Sequence, residues 1–425
     1  MSNVIISLLL YSFLFSEFQV NIIDLIQIQG NKKTKDHIIL REINQKINES
    51  WSNESILEDE NRIYNLGLFS NVDIDVIKND ENQNTYKISV SEMWYVWPFP
   101  VISYDYDRDE LSYGAGIINN NFRGEDINLS FGSTFGNVRE YFIHYQNPWI
   151  SGDHISLELG VYNESSDHHI YNIIEKDQGF FIKGGFYKGY DNQFAFWTNY
   201  NNKIIDIEKD SNKSTLESHY LGQTNFSYIR IGSEYTYDTR DIYIDPSSGS
   251  FLNIELINEF GVNDTKNIHE IEFHFSTYKK IFESYLNPIL KYKFSANIQY
   301  SNSDIPIFKK NYIGGQDYVR GYSATPSENA VDNYDNVFEV DNFLINTFEI
   351  QSTLIERKEY LDKVELGADF IFFTDWGIGY NLNKAINFDN SLLGYGIGCK
   401  IFLMNTVIKF EYALNMHGSS RWHLF

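Results

Sequence analysis

Three acidic side chains at alternate positions raise the question of a calcium site. The segment "DYDRDE" places Asp105, Asp107 and Asp109 like the first ligands of an EF-hand loop. The sixth position of that loop would be Glu110 in place of glycine, and the twelfth would be Gly116 in place of the bidentate glutamate. The pattern therefore argues against an EF-hand and predicts a solvated hairpin tip.

A second polar segment, "SSDHHI", sets Asp167 beside His168 and His169. These residue types occur in metal sites and in proteases of the outer membrane. Adjacent side chains on a strand point to opposite faces, so the two imidazoles would not converge on one ion. We therefore predict a solvated loop here, and a membrane-embedded hydrolase is only a third alternative.

The glycine-rich segment "NYIGGQDYVRGY", residues 311–322, is not a phosphate-binding loop, because it lacks a Lys-Ser/Thr end and no helix follows it. We find no convincing catalytic constellation in the sequence. The prediction is a protein that is not an enzyme, with no catalytic residues, no metal and no cofactor. The feature that needs an explanation is the lone cation Arg320 among glycines and aromatics.

The composition favours strands and argues against nucleic acid as a partner. The 425 residues carry a formal net charge of -24, so a basic footprint for phosphates is missing. Aromatic residues make up 16% of the chain against only 7 prolines. No apolar run of about 18 residues would form a transmembrane helix. The mean hydropathy of -0.37 still allows a membrane barrel, in which only alternate residues are apolar.

The N-terminal stretch from Val4 to Phe15 is mostly apolar and has the length of an export signal. We predict a signal peptide over residues 1–20, with a first buried strand or helix as the alternative. The single cysteine, Cys399, excludes an internal disulfide.

Residues 21–93 predict a small α+β domain of order β-α-α-β-β. A first helix is expected over 34–47 with Thr34 as its N-cap, and a second ends at Gly67. Alternating apolar residues over 72–76 and 86–90 then predict two strands with one buried face. A generic α+β interaction module is the alternative for this segment.

Residues 94–425 lose the helical period and alternate apolar with polar side chains, as in "KYKFSANIQY". The apolar face is dense in Tyr and Phe, which is typical of the two interfaces of a membrane barrel. We count about 16 such segments of the ~9–11 residues that a tilted strand needs to cross the bilayer. The predicted fold is therefore the α+β domain followed by an all-β 16-stranded transmembrane β-barrel.

Several motifs together resemble one family. The segments "IQGNKKTKDHIILREI" and "NLGLFSNVDIDV" resemble a POTRA domain, and "YQNPWISGD", "DTRDIYIDPSSGSFL" and "IGGQDYVRGY" resemble the barrel of the BamA/TamA superfamily of outer-membrane assembly proteins. The resemblance implies an inward-folded loop near 303–340. Its motif maps onto Gly314, Gly315, Val319, Gly321 and Tyr322, with Arg320 as the family's arginine.

Strand parity indicates which carboxylates this arginine would meet. Glu349 shares the polar face of "FLINTFEIQST", and Asp375 shares the polar face of "KVELGADFIFFTD" with Glu365. A buried guanidinium needs such partners, because desolvating it alone costs several kcal/mol. We therefore interpret Arg320, Glu349 and Asp375 as a latch that holds the loop in the lumen. An exposed loop arginine is the alternative.

The resemblance also implies a function and a location. The chain would insert or assemble other outer-membrane proteins from the bacterial outer membrane, with its POTRA domain in the periplasm. Its partners would be unfolded β-barrel clients, outer-membrane lipids, and periplasmic chaperones or accessory lipoproteins. A passive or polypeptide-exporting pore is the main alternative.

The C-terminal segment "SSRWHLF" allows a final strand of only about five or six residues, short of a full crossing. We therefore expect a weak seam between this strand and the first barrel strand, residues 99–107, at which a client strand is added. Phe425 would be the aromatic residue with which the family's barrels end.

Overall fold

The computed structural model describes residues 22–424 except 82, 106–109, 137–138, 153, 168–172, 208–223, 285, 324–338, 362–363, 383, 389–390 and 404–405. Several predictions fall outside this set: the signal peptide of residues 1–20, Asp107, Asp109, His168, His169, Phe425, and the side chains of Asp105 and Asp167.

The N-terminal domain has the predicted order β-α-α-β-β. Its elements are β1 (Leu25–Gln29), α1 (Asp36–Leu40), α2 (Asn53–Asn65), β2 (Phe69–Lys78) and β3 (Asn84–Glu92). The sheet order is β1-β3-β2, with β3 parallel to β1 and antiparallel to β2. Side chains from the helices and strands form one core, including the fully buried Ile63, Phe69 and Tyr86. Burying each such apolar side chain contributes about 1.5–3 kcal/mol, which holds the helices on the sheet.

The first helix is shorter than predicted. It begins after Lys35 and ends at Leu40, whereas the sequence predicted residues 34–47 with Thr34 as N-cap. The Thr34 hydroxyl instead lies 2.9 Å from the Tyr95 hydroxyl and accepts a hydrogen bond from the Asn121 amide at 2.9 Å. Thr34 therefore joins the domain to the barrel and does not cap the helix.

Asp59 on α2 accounts for the early end of α1. Its buried carboxylate accepts the backbone N–H groups of Asn44 and Gln45 at 2.7 and 3.4 Å. These donors would otherwise continue the helical hydrogen-bond series. Burial raises the pKa of Asp59, while these N–H groups and the Tyr86 hydroxyl oppose the rise. A buried acceptor on the second helix therefore overrides the helical pattern of the first.

The second helix has strong end signals. Ser52 and Ser55 form a reciprocal capping box at its N-terminus. Gly67 follows its last turn with a φ of +69°, a conformation that glycine adopts at little cost. Neither helix in the described part of the chain is long and apolar enough to cross a bilayer.

The described residues after Trp94 form a 16-stranded antiparallel sheet. Its strands up to the longest connection are β4 (Val96–Asp105), β5 (Glu110–Phe122), β6 (Ile127–Gly136), β7 (Tyr141–Ser151), β8 (Ile155–Asp167), β9 (Ile173–Lys188), β10 (Asn192–Ile207), β11 (Asn225–Asp238), β12 (Gly249–Val262), β13 (Ile268–Lys280) and β14 (Ile289–Ser301).

The chain then leaves the sheet after β14, and we call the described residues 302–323 and 339–341 of this connection the latch loop. Two short strands, β15 (Asn311–Tyr312) and β16 (Glu339–Val340), pair within it. The sheet continues with β17 (Asn342–Leu361), β18 (Val364–Tyr380), β19 (Leu392–Leu403), β20 (Thr406–Asn415) and β21 (Ser420–Leu424), and β17 pairs directly with β14.

Alternation gives this sheet an apolar outer face and a polar inner face. On β14, Leu290, Ile298 and Tyr300 are exposed, whereas Lys291 and Gln299 are buried. Apolar side chains exposed around the whole sheet suit contact with lipid. The parity assigned from the sequence is therefore the parity of the structure.

Candidate functional site

The latch loop lies against the inner face of the sheet. Ile313, Val319 and Tyr322 are buried and pack with Phe343 on β17 and Leu392 on β19. The Tyr322 hydroxyl donates to the Leu393 carbonyl at 3.2 Å. The loop is therefore packed on the strands that follow it in the chain.

Arg320 binds carboxylates on two strands that follow the loop. Its Nε and one terminal nitrogen donate to the two carboxylate oxygens of Asp375 at 2.8 Å each, and its backbone N–H donates to Asp375 at 3.1 Å. Its other terminal nitrogen donates to Glu411 at 3.0 Å. Such a two-pronged, charge-assisted pair is among the strongest polar contacts in proteins.

Aromatic and buried surroundings complete the arginine's site. The guanidinium carbon lies 3.4 Å from the centre of the Phe373 ring. The side chain of Arg320 is 6% exposed and that of Asp375 is 0% exposed. Exclusion of water strengthens the attraction between these charges and makes loss of either partner costly.

Glu349, the third predicted member, has closer partners than Arg320. Its carboxylate lies 3.8 Å from the arginine, but 3.4 Å from Lys291 and 3.3 Å from Lys400. The structure therefore places Arg320 directly on Asp375 and Glu411, with Glu349 between the arginine and two buried lysines. Sequence reasoning missed Glu411, although it lies between the outward-facing Phe410 and Tyr412 in "TVIKFEYAL".

Glycines make room for the loop at two close approaches. Gly321 has a φ of +91°, and a Cβ at this position would press on the Leu414 backbone. A Cβ on Gly394 of β19 would overlap the carbonyl of Arg320. Gly315 has a φ of +103° and donates its N–H to Val319, to which Gly314 also pairs.

The loop also contacts the last two strands. The Gly321 N–H donates to Nε2 of His423 on β21 at 3.2 Å, and Asn415 of β20 donates to the Gly321 carbonyl at 3.1 Å. The five-residue β21 pairs only with β20 among the described strands, and Trp422 and Leu424 are exposed. The latch loop therefore supports the C-terminal end of the sheet from inside.

The N-terminal domain docks on one end of the sheet, which we call the domain-side end. Arg41 donates to Asp126 at 2.6 Å, and Lys35 pairs with Glu125 in the same turn. On another part of the rim, the Tyr64 hydroxyl donates to Glu365 at 2.6 Å. Burial raises the pKa of Asp126 to about 7, although Arg41 opposes the rise.

The geometry around Arg320 positions the latch loop on the inner face of the sheet. The described residues contain no cluster of three His, Cys, Asp or Glu side chains that could hold a metal ion. Arg320 and its partners form an electrostatic clamp, because a guanidinium between carboxylates is neither a nucleophile nor a proton donor at neutral pH.

Two family models match this chain. A surface antigen variable number repeat, the POTRA model, matches residues 22–93, and an Omp85 superfamily domain matches residues 121–421. The chain belongs to the Omp85 superfamily. These matches confirm the resemblance to the BamA/TamA superfamily, and the fold is a POTRA domain followed by an Omp85 sheet of 16 strands.

Relatives of this Omp85 chain include an outer membrane protein assembly factor BamA from Nitratidesulfovibrio vulgaris, which is 22% identical over 382 residues. The match covers 87% of this chain and 45% of the relative, so the chain spans about half the length of that protein. Omp85 proteins of the BamA type are assembly factors or transporters of the outer membrane.

Solved structures share the Omp85 fold. The structure of BamA from Haemophilus ducreyi lacking POTRA domains 1-3 matches with a TM-score of 0.57 and 16% identity, covering 95% of this chain and 84% of that one. CdiB from Acinetobacter baumannii matches with a TM-score of 0.52 and 16% identity, covering 96% and 73%. At such identities the likeness concerns the fold alone.

Proposed function

We propose that this protein inserts or assembles β-barrel proteins in the bacterial outer membrane, with its POTRA domain on the periplasmic side. The observation that carries the proposal is the unpaired strand edge at each end of the 16-stranded sheet. Among the described strands, β21 pairs only with β20, and β4 pairs only with β5. An unpaired edge is a template for an incoming strand.

In this mechanism a client strand pairs with the edge of β4 that no described strand covers. Unpaired backbone N–H and C=O groups in a bilayer each cost several kcal/mol, so pairing them drives strand addition. The client then buries its apolar face in lipid as successive hairpins follow. The process needs no nucleotide or cofactor, because hydrogen bonding and burial supply the driving force.

The latch has a defined part in this mechanism. Arg320, through Asp375, Glu411 and Glu349, holds the latch loop on the inner face, where Gly321 contacts β20 and β21. A latch loop bound to the inner face keeps β21 in place between rounds of insertion. The partners of the proposal are unfolded barrel clients, the surrounding lipids, and periplasmic chaperones or accessory lipoproteins that deliver the clients.

A disulfide across the seam tests the proposal. With Cys399 replaced by serine, one cysteine is placed within residues 99–105 and one within 421–424. We expect the cross-link to abolish insertion of a client barrel into liposomes while the protein stays folded. The matched control is Ile401→Cys with Ile408→Cys, a pair within the regular β19–β20 ladder. Full activity in the seam-locked protein would refute the proposal.

A pore, passive or polypeptide-exporting, is the second candidate. It is favoured by the polar inner face, which lines a cavity of about 510 Å³ beside Glu270, Lys293 and Lys309. Steady conductance of the purified protein in planar bilayers, unchanged by Arg320→Ala, would support the pore. A closed channel would support the assembly function, because the latch loop then fills the lumen.

A further inference from the structure

A chain of buried polar side chains leads away from the latch along the inner face. Arg320 lies 3.8 Å from Glu349, and Glu349 lies 3.3 Å from Lys400. Lys400 in turn donates to the amide oxygen of Gln351 at 2.5 Å. Glu349, Gln351 and Lys400 are buried, so each depends on its neighbours for partners.

The chain ends on a turn at the domain-side end. The amide nitrogen of Gln351 donates to Asp245 at 2.7 Å and to Asp369 at 2.5 Å. Asp245 belongs to residues 239–248, which join β11 to β12 and which we call the domain-side turn. This turn therefore reaches up into the barrel and contacts its inner wall.

The domain-side turn is internally braced. The carboxylate of Asp241 accepts the backbone N–H groups of Ile242, Ser247 and Ser248. At its start, Arg240 makes a two-pronged contact with Asp238 at 2.8 and 2.6 Å. A turn with this many internal bonds shifts as one unit, so displacement at residue 241 is passed on to residue 245.

The POTRA domain grips the same turn. The Asn65 side chain, at the end of α2, donates to the Asp241 carbonyl at 2.9 Å and accepts the Tyr243 N–H at 2.9 Å. These two bonds fix the turn's backbone relative to the domain. The docked position of the POTRA domain thus determines the position of Asp245.

We propose that Asp245 is a positioning residue that couples docking of the POTRA domain to seating of the latch loop. When the domain is docked, Asp245 holds Gln351, and Gln351 and Glu349 together hold Lys400. When the domain moves away, Asp245 no longer accepts the hydrogen bond from Gln351. Gln351 is then held less firmly against the buried Lys400. Glu349 then moves closer to Lys400 to neutralise its charge, and its ion pair with Arg320 weakens. The inference rests on the latch proposed above, but it concerns its control.

The test measures mobility of the loop and not assembly activity. A nitroxide label is attached at Asp317→Cys, an exposed position of the latch loop, in a Cys399→Ser background. The variants are Asn65→Ala, Asp245→Ala and the double variant, each checked for folding by heat-modifiable gel migration. We expect each single variant to increase the mobile fraction of the label severalfold, and the double variant to add no more.

Two further variants separate the possible failures. Arg320→Ala should release the loop, and if it does not, the latch itself is wrong. Glu125→Gln removes a POTRA contact made by Lys35 on a different turn and should leave the label immobile. Asn65→Ala lies outside the barrel wall, so it tests the coupling even if Asp245→Ala does not fold. An immobile label in Asn65→Ala, or equal release in Glu125→Gln, overturns the coupling.

Discussion

At the scale of single residues, Arg320 dominates the site. Arg320→Ala would leave the buried carboxylates of Asp375 and Glu411 without their cation. We expect a loss of about 3–5 kcal/mol in the free energy of unfolding, as for other broken buried pairs. Arg320→Lys is the matched control, and it should lose less because a lysine keeps the charge but not the two-pronged contact. Urea unfolding in detergent measures both, and parental stability in Arg320→Ala would contradict the latch.

Asp126 makes a prediction about pH. Burial raises the pKa of Asp126 to about 7 from its usual 3.8, against Arg41 and with Glu42 adding to the rise. The folded state therefore holds this proton more tightly than the unfolded state. Its contribution to stability is complete below about pH 4 and is lost as the pH rises through about 7. Asp126→Asn should flatten the plot of the free energy of unfolding against pH between about pH 4 and 7. Parallel plots for the variant and the parent would argue against the raised pKa of Asp126.

At the scale of elements, the fit between loop and strand depends on Gly394. Gly394→Ala would place a Cβ where the Arg320 carbonyl now lies, so we expect the loop to be displaced and the melting temperature to fall. Gly184→Ala on β9 is the matched control, because its nearest neighbour is 4.0 Å away, and it should be neutral. Differential scanning calorimetry compares the two variants. Equal melting temperatures would show that the contact between β19 and the latch loop tolerates a side chain at residue 394.

Elements also show how far the sequence predicts this structure. The two-residue period of strands fixes which side chains face inward, and it therefore identified Asp375 and Glu349 as inner carboxylates. The two-residue period does not fix the stagger between neighbouring strands. It therefore could not reveal that Glu349 lies closer to Lys291 and Lys400 than to Arg320. The early end of α1 was equally hidden, because it depends on Asp59 from another helix.

At the scale of the whole molecule, the POTRA domain and the latch loop lie at opposite ends of the chain of buried polar contacts along the inner face of the sheet. We expect residues 21–92 in the periplasm and Asp317 in a loop that emerges outside the cell, since an even strand number returns both ends of the barrel to one side. Protease added to intact cells should spare the POTRA domain and cut it after the outer membrane is opened. Cleavage of the domain in intact cells would reverse the assignment.

The latch loop also has a consequence for how the chain folds. Residues 416–419 join β20 to β21, whereas residues 302–341 join β14 to the adjacent β17. Each doubling of loop length adds about 0.6 kcal/mol to closure, so a loop roughly ten times longer costs about 2 kcal/mol more. Strands β4–β14 can pair as successive local hairpins, which is fast. The pairing of β14 with β17 must await a distant encounter, and Arg320 finds its ion-pair partners Asp375 and Glu411 on strands made later. We therefore expect folding in two stages, with the kinetic barrier at the β14–β17 junction.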